Sequence, residues 1–154
     1  MEITKMTPVK DVLRSVRKYD FAAENAYQGY ASLRSEIFRL TPIYDGIHVK
    51  TGTNGTDLAG GIARLEDAGK NVLHCYDRYI DQKAHIEELI ARMGDHPDEM
   101  KCLRLRYLSY RENKNWRLLN WDVIADRMHV SRRNATTIHG KALRIFEALL
   151  KEDQ

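Results

Sequence analysis

"NWDVIADRMHVSRRNATTIHGKALRIF", residues 120–146, decides the fold. Apolar residues recur at helical spacing on both sides of a short polar corner. Two helices that cross closely at a steep angle need a small side chain at the crossing, and Ala125 stands there. Ile124, Met128, Val130, Ala135 and Ile138 fall at the offsets that seal both helices against a third. Ser131 is a favourable N-cap for the second helix, because its hydroxyl accepts from a first-turn backbone N–H. The corner needs a positive φ, where glycine is usual. Here the residue is His129, which tolerates that region better than most side chains. The spacing predicts a helix-turn-helix.

Beyond the corner, Ala135, Ile138, Ala142, Ile145 and Leu149 are expected to point inward. That leaves Ser131, Arg132, Arg133, Asn134, Thr136, Thr137, Gly140, Lys141 and Arg144 as the candidate site on the outward face, with no acid among them. Cations suit phosphates, and short hydroxyls suit phosphates or base edges. Gly140 would admit close backbone approach. A recognition helix reads DNA with residues near its N-terminus, which here are Arg132 to Thr137.

The stretch "CLRLRYL…WDVIADRMHVSRRNATTIHGKALRIFEALL", residues 102–150, resembles region 4 of sigma-70-type RNA polymerase sigma factors. The likeness rests on three features in order: the opening helix Leu103–Tyr107, the corner Ile124–Ser131 and the tail Ile138–Leu143. It covers about a third of the chain. It implies a promoter-type recognition helix, residues 131–144, lying in the major groove of duplex DNA. In sigma factors an acid stands at the place of Arg133 and an arginine at the place of Thr136. Only Arg132 matches, so the promoter preference of sigma factors is not carried over. The segment between Tyr107 and Trp121 is also longer than in sigma factors, and nothing resembles their promoter-melting helix. In layout the whole chain is similar to small bacteriophage regulators of the ArpU/RinA group.

Outward from the corner, charge divides the chain. Residues 1–100 hold 13 Lys/Arg against 16 Asp/Glu, whereas residues 101–154 hold 12 against 6. The cations therefore collect beside the corner, the electrostatic precondition for a polyanion partner. Only three prolines and three phenylalanines occur, and good helix formers abound. No apolar run approaches the roughly 20 residues of a membrane span. The N-terminus does not read as a secretion signal. Two lone cysteines, Cys75 and Cys102, fit a reducing cytosol without a disulfide framework; the likeness to phage regulators implies that this is the bacterial host cytoplasm.

The first ninety residues show two heptad-like seams. One runs Val9, Val12, Val16, Tyr19, Ala23, Ala26, Tyr30, Leu33, Ile37 and Leu40, opened by Thr7 as cap and Pro8 at the first helical position. The other runs Leu58, Gly61, Leu65, Ala68, Val72, Cys75, Tyr79, Gln82, Ile86, Leu89 and Met93. Between them, residues 41–57 are expected to be a loop, with Pro42 ending the first helix and Thr56 or Asp57 capping the next. The sequence thus predicts an all-α protein: a long antiparallel, coiled-coil-like hairpin over residues 1–94 for oligomerisation or partner binding, and a helix-turn-helix domain over residues 95–154. Gly94 and Pro97 mark the boundary. Ala23, Ala26, Gly61, Ala68 and Gln82 read as weak seam positions needing a partner surface, most simply a second copy.

No phosphate-binding glycine motif, HExxH or CxxC occurs, and the histidines are dispersed, so no enzyme, cofactor or metal site is expected. Cys75 reads as a small buried hydrophobe on the seam. Asp122 and Asp126, one turn apart, read as a solvated pair or as partners of Arg127 and Arg117 rather than as metal ligands. The expected function is a phage or prophage DNA-binding transcriptional regulator, homodimeric, with duplex DNA as ligand and RNA polymerase as a further partner. The alternative is the DNA-binding subunit of a phage packaging assembly, similar to a small terminase subunit.

Overall fold

Abundant Ala, Leu, Arg, Glu and Lys, with seams at three/four spacing, produce helices throughout. A computed structural model of the chain describes residues 7–46, 52–113 and 115–153, and the side chains of 8–39, 58–113 and 115–153. Two long helices, α1 (Thr7–Gly46) and α2 (Gly52–Ala91), precede three shorter ones: α3 (Pro97–Leu103), α4 (Trp121–Met128) and α5 (Arg132–Asp153). No strand occurs among the described residues.

Helix occupies much of the stretch expected to be a loop, residues 41–57. α1 passes through Pro42 to Gly46 and α2 has begun by Gly52. Proline's fixed φ near −65° is itself helical, and a ring near a helix end removes only one hydrogen bond from a ladder of forty residues. Thr56 and Asp57 lie inside α2, not at its cap. Residues 47–51 and the side chains of Thr7 and Leu40 lie outside the described residues.

By packing, the chain forms two compact units: residues 1–18 with 80–154, and residues 19–79. They do not follow the expected 94/95 boundary. The physical reason is that the first unit draws its core from both ends of the chain. Val9, Leu13 and Val16 of α1, and Ile86, Leu89, Ile90 and Met93 around the end of α2, are as deeply buried as Leu103, Ile124, Leu143 and Phe146. Gln82 Nε2 donates to Ser15 Oγ at 2.7 Å, so this polar seam position is satisfied rather than weak. α3 starts with Pro97 in its first turn as expected, and Gly94 does not adopt positive φ. α3 runs on into a π-helical turn (Arg104–Leu108) and, after Ser109, a 3-10 turn (Tyr110–Glu112). Non-helical backbone then leads to Asn120, just before α4. Within it Trp116 has φ 55°, and its carbonyl accepts from Arg17 Nη1 at 3.1 Å.

In the second unit the contacts of the two helices run in opposite order. A Cβ added at Gly61 would lie 3.7 Å from Ile37 Cδ1, and one added at Gly69 would lie 3.5 Å from the Tyr30 ring. Further along, the Arg78 guanidinium lies 4.7 Å from the Tyr19 ring centroid. The small residues seat large ones opposite, which is how helices with unequal side chains approach closely. Gly61 and Ala23 are therefore packed positions, not gaps. Cys75 is only half-buried, its thiol 3.9 Å from Asn71 Oδ1.

Candidate nucleic-acid interface

The corner is built by local hydrogen bonds that these residue types supply. Asn120 Oδ1 accepts from Val123 N at 3.0 Å and opens α4. α4 ends at His129, whose φ of 58° and ψ of 39° put it in the left-handed region, as the corner requires. Its N–H donates to Asp126 O at 3.2 Å, and Val130 N–H donates to Ala125 O at 3.0 Å. That pair of reversed bonds is a Schellman closure, usually made with glycine. One residue later Ser131 Oγ accepts from Asn134 N at 3.1 Å and opens α5. Ala125 is buried at the crossing. Cys102, Leu119, Ile124, Ala125 and Ala135 form the core beneath, with Leu105, Trp121, Met128, Val130 and Ile138 packed against it.

α5 is turned about its axis relative to the expected stripe. Ala135 and Ala142 are buried as expected, but the others that are fully covered are His139, Leu143 and Phe146. Ile138, Ile145 and Leu149 are only half-covered. The cause is His139. Its Nε2 shares a 2.9 Å hydrogen bond with Tyr107 Oη, its ring stacks on Tyr107, and Trp121 meets it edge-on with centroids 4.8 Å apart. Burial, with Lys10, Arg106 and Arg14 nearby, pushes the His139 pKa down to about 4, so the ring is neutral near pH 7. Burial raises the Tyr107 pKa as well. Arg106 donates to Leu119 O, lies 4.9 Å from the Trp121 ring centroid, and has its own pKa lowered by burial. In the sequence His139 is one of six dispersed histidines. The signal available was an aromatic pair, Tyr107 and Trp121, in elements that meet α5.

All the expected site residues are exposed except Gly140, which is half-buried. A Cβ at Gly140 would meet nothing within 4 Å, so packing within the chain does not demand glycine there. The cations are not equivalent. Arg132 lies 3.6 Å from Asp122 across an exposed pair, and Lys141 lies 3.4 Å from the largely buried carboxylate of Glu99. Arg127 pairs with Glu112, not with Asp122 or Asp126, and this hydrogen bond holds the Glu112 pKa below the usual range. Arg133 and Arg144 make no ion pair among the described residues. They are eleven residues apart on α5, about three turns or roughly 16 Å, and so share one face with Thr137 and Gly140 between them. Thr136 and Thr137 each donate their hydroxyl to Arg133 O, at 2.8 and 3.0 Å. In this state each hydroxyl oxygen keeps lone pairs that can accept a further hydrogen bond.

Cys102 is buried, 3.8 Å from Ala135 O, and burial pushes its pKa up to about 11, so it is a poor nucleophile. Among the described residues no group of three or more His, Cys, Asp or Glu side chains could hold a metal ion, and no helix is long and apolar enough to cross a membrane. No protein-family model, curated protein or solved structure matches this chain.

Proposed function

We propose that this chain is a phage or prophage transcriptional regulator that reads duplex DNA through α5 laid in the major groove. The sigma region 4-like sequence pattern and the ArpU/RinA-like layout motivate the reading. One observation carries it: an acid-free stripe, Arg133–Thr137–Gly140–Arg144, whose two arginines make no ion pair among the described residues, follows a capped left-handed corner. Unpaired guanidiniums on such a face have phosphates and guanine edges as their natural ligands. The antiparallel α1–α2 hairpin serves as the stem of a homodimer, and RNA polymerase is a further partner of the DNA-bound form. Host cytoplasm is the compartment this function requires.

The test is selection of bound sequences from a random duplex library with the full chain at stated salt. Enrichment of a defined site is expected, with affinity falling as salt rises. The Arg133→Ala/Arg144→Ala variant should lose most of that enrichment. A full chain that enriches nothing and binds duplex DNA no better than this variant would overturn the proposal.

A further inference from the structure

Residues 19–79 leave an organised apolar face uncovered. Phe38 is 59% exposed, Leu73 67%, and Tyr27 and Ile62 45% each. Each follows a seam residue by one position: Ile37 then Phe38, Gly61 then Ile62, Ala26 then Tyr27, Val72 then Leu73. One residue turns about 100° around a helix, in the same handed sense on both. Because the contacts of α1 and α2 run in opposite order here, that turn carries all four side chains to the same side of the pair. The Gly61–Ile37 and Gly69–Tyr30 contacts also set their level along the axis. Phe38 comes level with Ile62, and Tyr27 with Leu73. The two levels are eleven residues apart, about 16 Å. A groove lined by Tyr27, Ala31, Ser35 and Phe38 lies between them on α1, and the Arg34 guanidinium covers the Phe38 ring at 5.1 Å from its centroid.

We infer that this face docks against the same face of a second copy, completing a four-helix bundle. This deepens the homodimer part of the function proposed above by naming its surface. A two-helix layer with paired apolar levels is half of such a bundle. A two-fold interface also requires one patch complementary to itself, which two matched levels on two helices provide. Charge agrees. Arg34 and Glu66 come at one level, and neither has an ion-pair partner among the described residues. Face to face, Arg34 of one copy can reach the partner's Glu66. Area agrees too. Aromatic side chains bury about 150–250 Å² each, so Phe38 and Tyr27 at roughly half exposure, with somewhat less from Leu73 and Ile62, remove about 400 Å² per copy and about 800 Å² in all. Flanking atoms of Ala31, Ser35, Arg34 and Glu66 bring the total toward the roughly 1,200–2,000 Å² of specific interfaces.

Sedimentation equilibrium on the full chain tests the assignment, alongside Phe38→Glu/Leu73→Glu and the milder Phe38→Ser/Leu73→Ser, with helicity checked by circular dichroism. The wild type is expected at twice the 17.9 kDa chain mass. Both variants should keep wild-type helicity, because these side chains lie off the seam, and should weaken the dimer by about 100-fold or more, as loss of central apolar anchors does. A wild-type monomer would overturn both this face and the dimer reading. A wild-type dimer that both variants leave intact would overturn the face alone. Salt-dependent DNA binding by the variants separates either failure from failure of the DNA reading.

Discussion

His139 anchors α5 against Tyr107 and Trp121, and it does so as a neutral ring. Its folded pKa of about 4 lies below the ordinary histidine value of 6.5. Between those two values the unfolded chain binds a proton that the folded chain does not, so stability falls as pH drops through that window and is fully present above it. At 1.36 kcal/mol per unit the loss approaches about 3 kcal/mol near pH 4. Urea unfolding at pH 7, 5.5 and 4.5 measures it. The comparison is His139→Phe/Tyr107→Phe, in which no hydroxyl is left without its partner. That variant should lose most of the pH dependence between 6.5 and 4.5. An undiminished slope would mean that carboxylates, not His139, set the acid sensitivity.

At the scale of the element, the corner was legible because its demands are local. A small residue at a crossing, a left-handed residue at a helix end and a serine cap are each decided within a few positions, so Ala125, His129 and Ser131 could be placed from sequence. The rotation of α5 was not, because the residue that fixes it bonds to a tyrosine 32 positions away. Nor was the division among the cations, because Asp122 and Glu99 come from other elements. That division changes what each substitution should do. Arg144→Ala removes an unpaired cation from the open stripe, so it should lower the slope of log affinity against log salt by about one phosphate contact. Lys141→Ala removes a cation already engaged by a mostly buried carboxylate. It should cost stability by leaving Glu99 unpaired and should alter the salt slope less than Arg144→Ala does. Salt titrations and thermal unfolding on the two variants decide it. An equal or larger slope change for Lys141→Ala would show that its bond to Glu99 gives way on DNA.

Over the whole molecule, the seams told of long helices but not of where the compact units divide. A heptad pattern says which side of a helix is apolar and nothing about which partner covers it. The start of the first seam lies in the unit that holds α3, α4 and α5: Val9, Leu13 and Val16 are 3%, 0% and 1% exposed. So do Ile86, Leu89, Ile90 and Met93, none more than 1% exposed. A chain cut at residue 98 would therefore keep the corner and lose seven core side chains. Fully burying a residue of this kind is worth about 1.5–3 kcal/mol, and domain stabilities are only about 5–15 kcal/mol. Losing seven, about 10–20 kcal/mol in all, is as large as that whole margin or larger. Residues 98–154 alone are expected to lack a cooperative thermal transition and to give poorly dispersed amide NMR signals. A joined piece carrying residues 1–18 and 80–154, linked by a short flexible segment, should fold. If the 98–154 piece instead melts cooperatively, the ends of α1 and α2 contribute little to the head, and the corner is a domain in its own right.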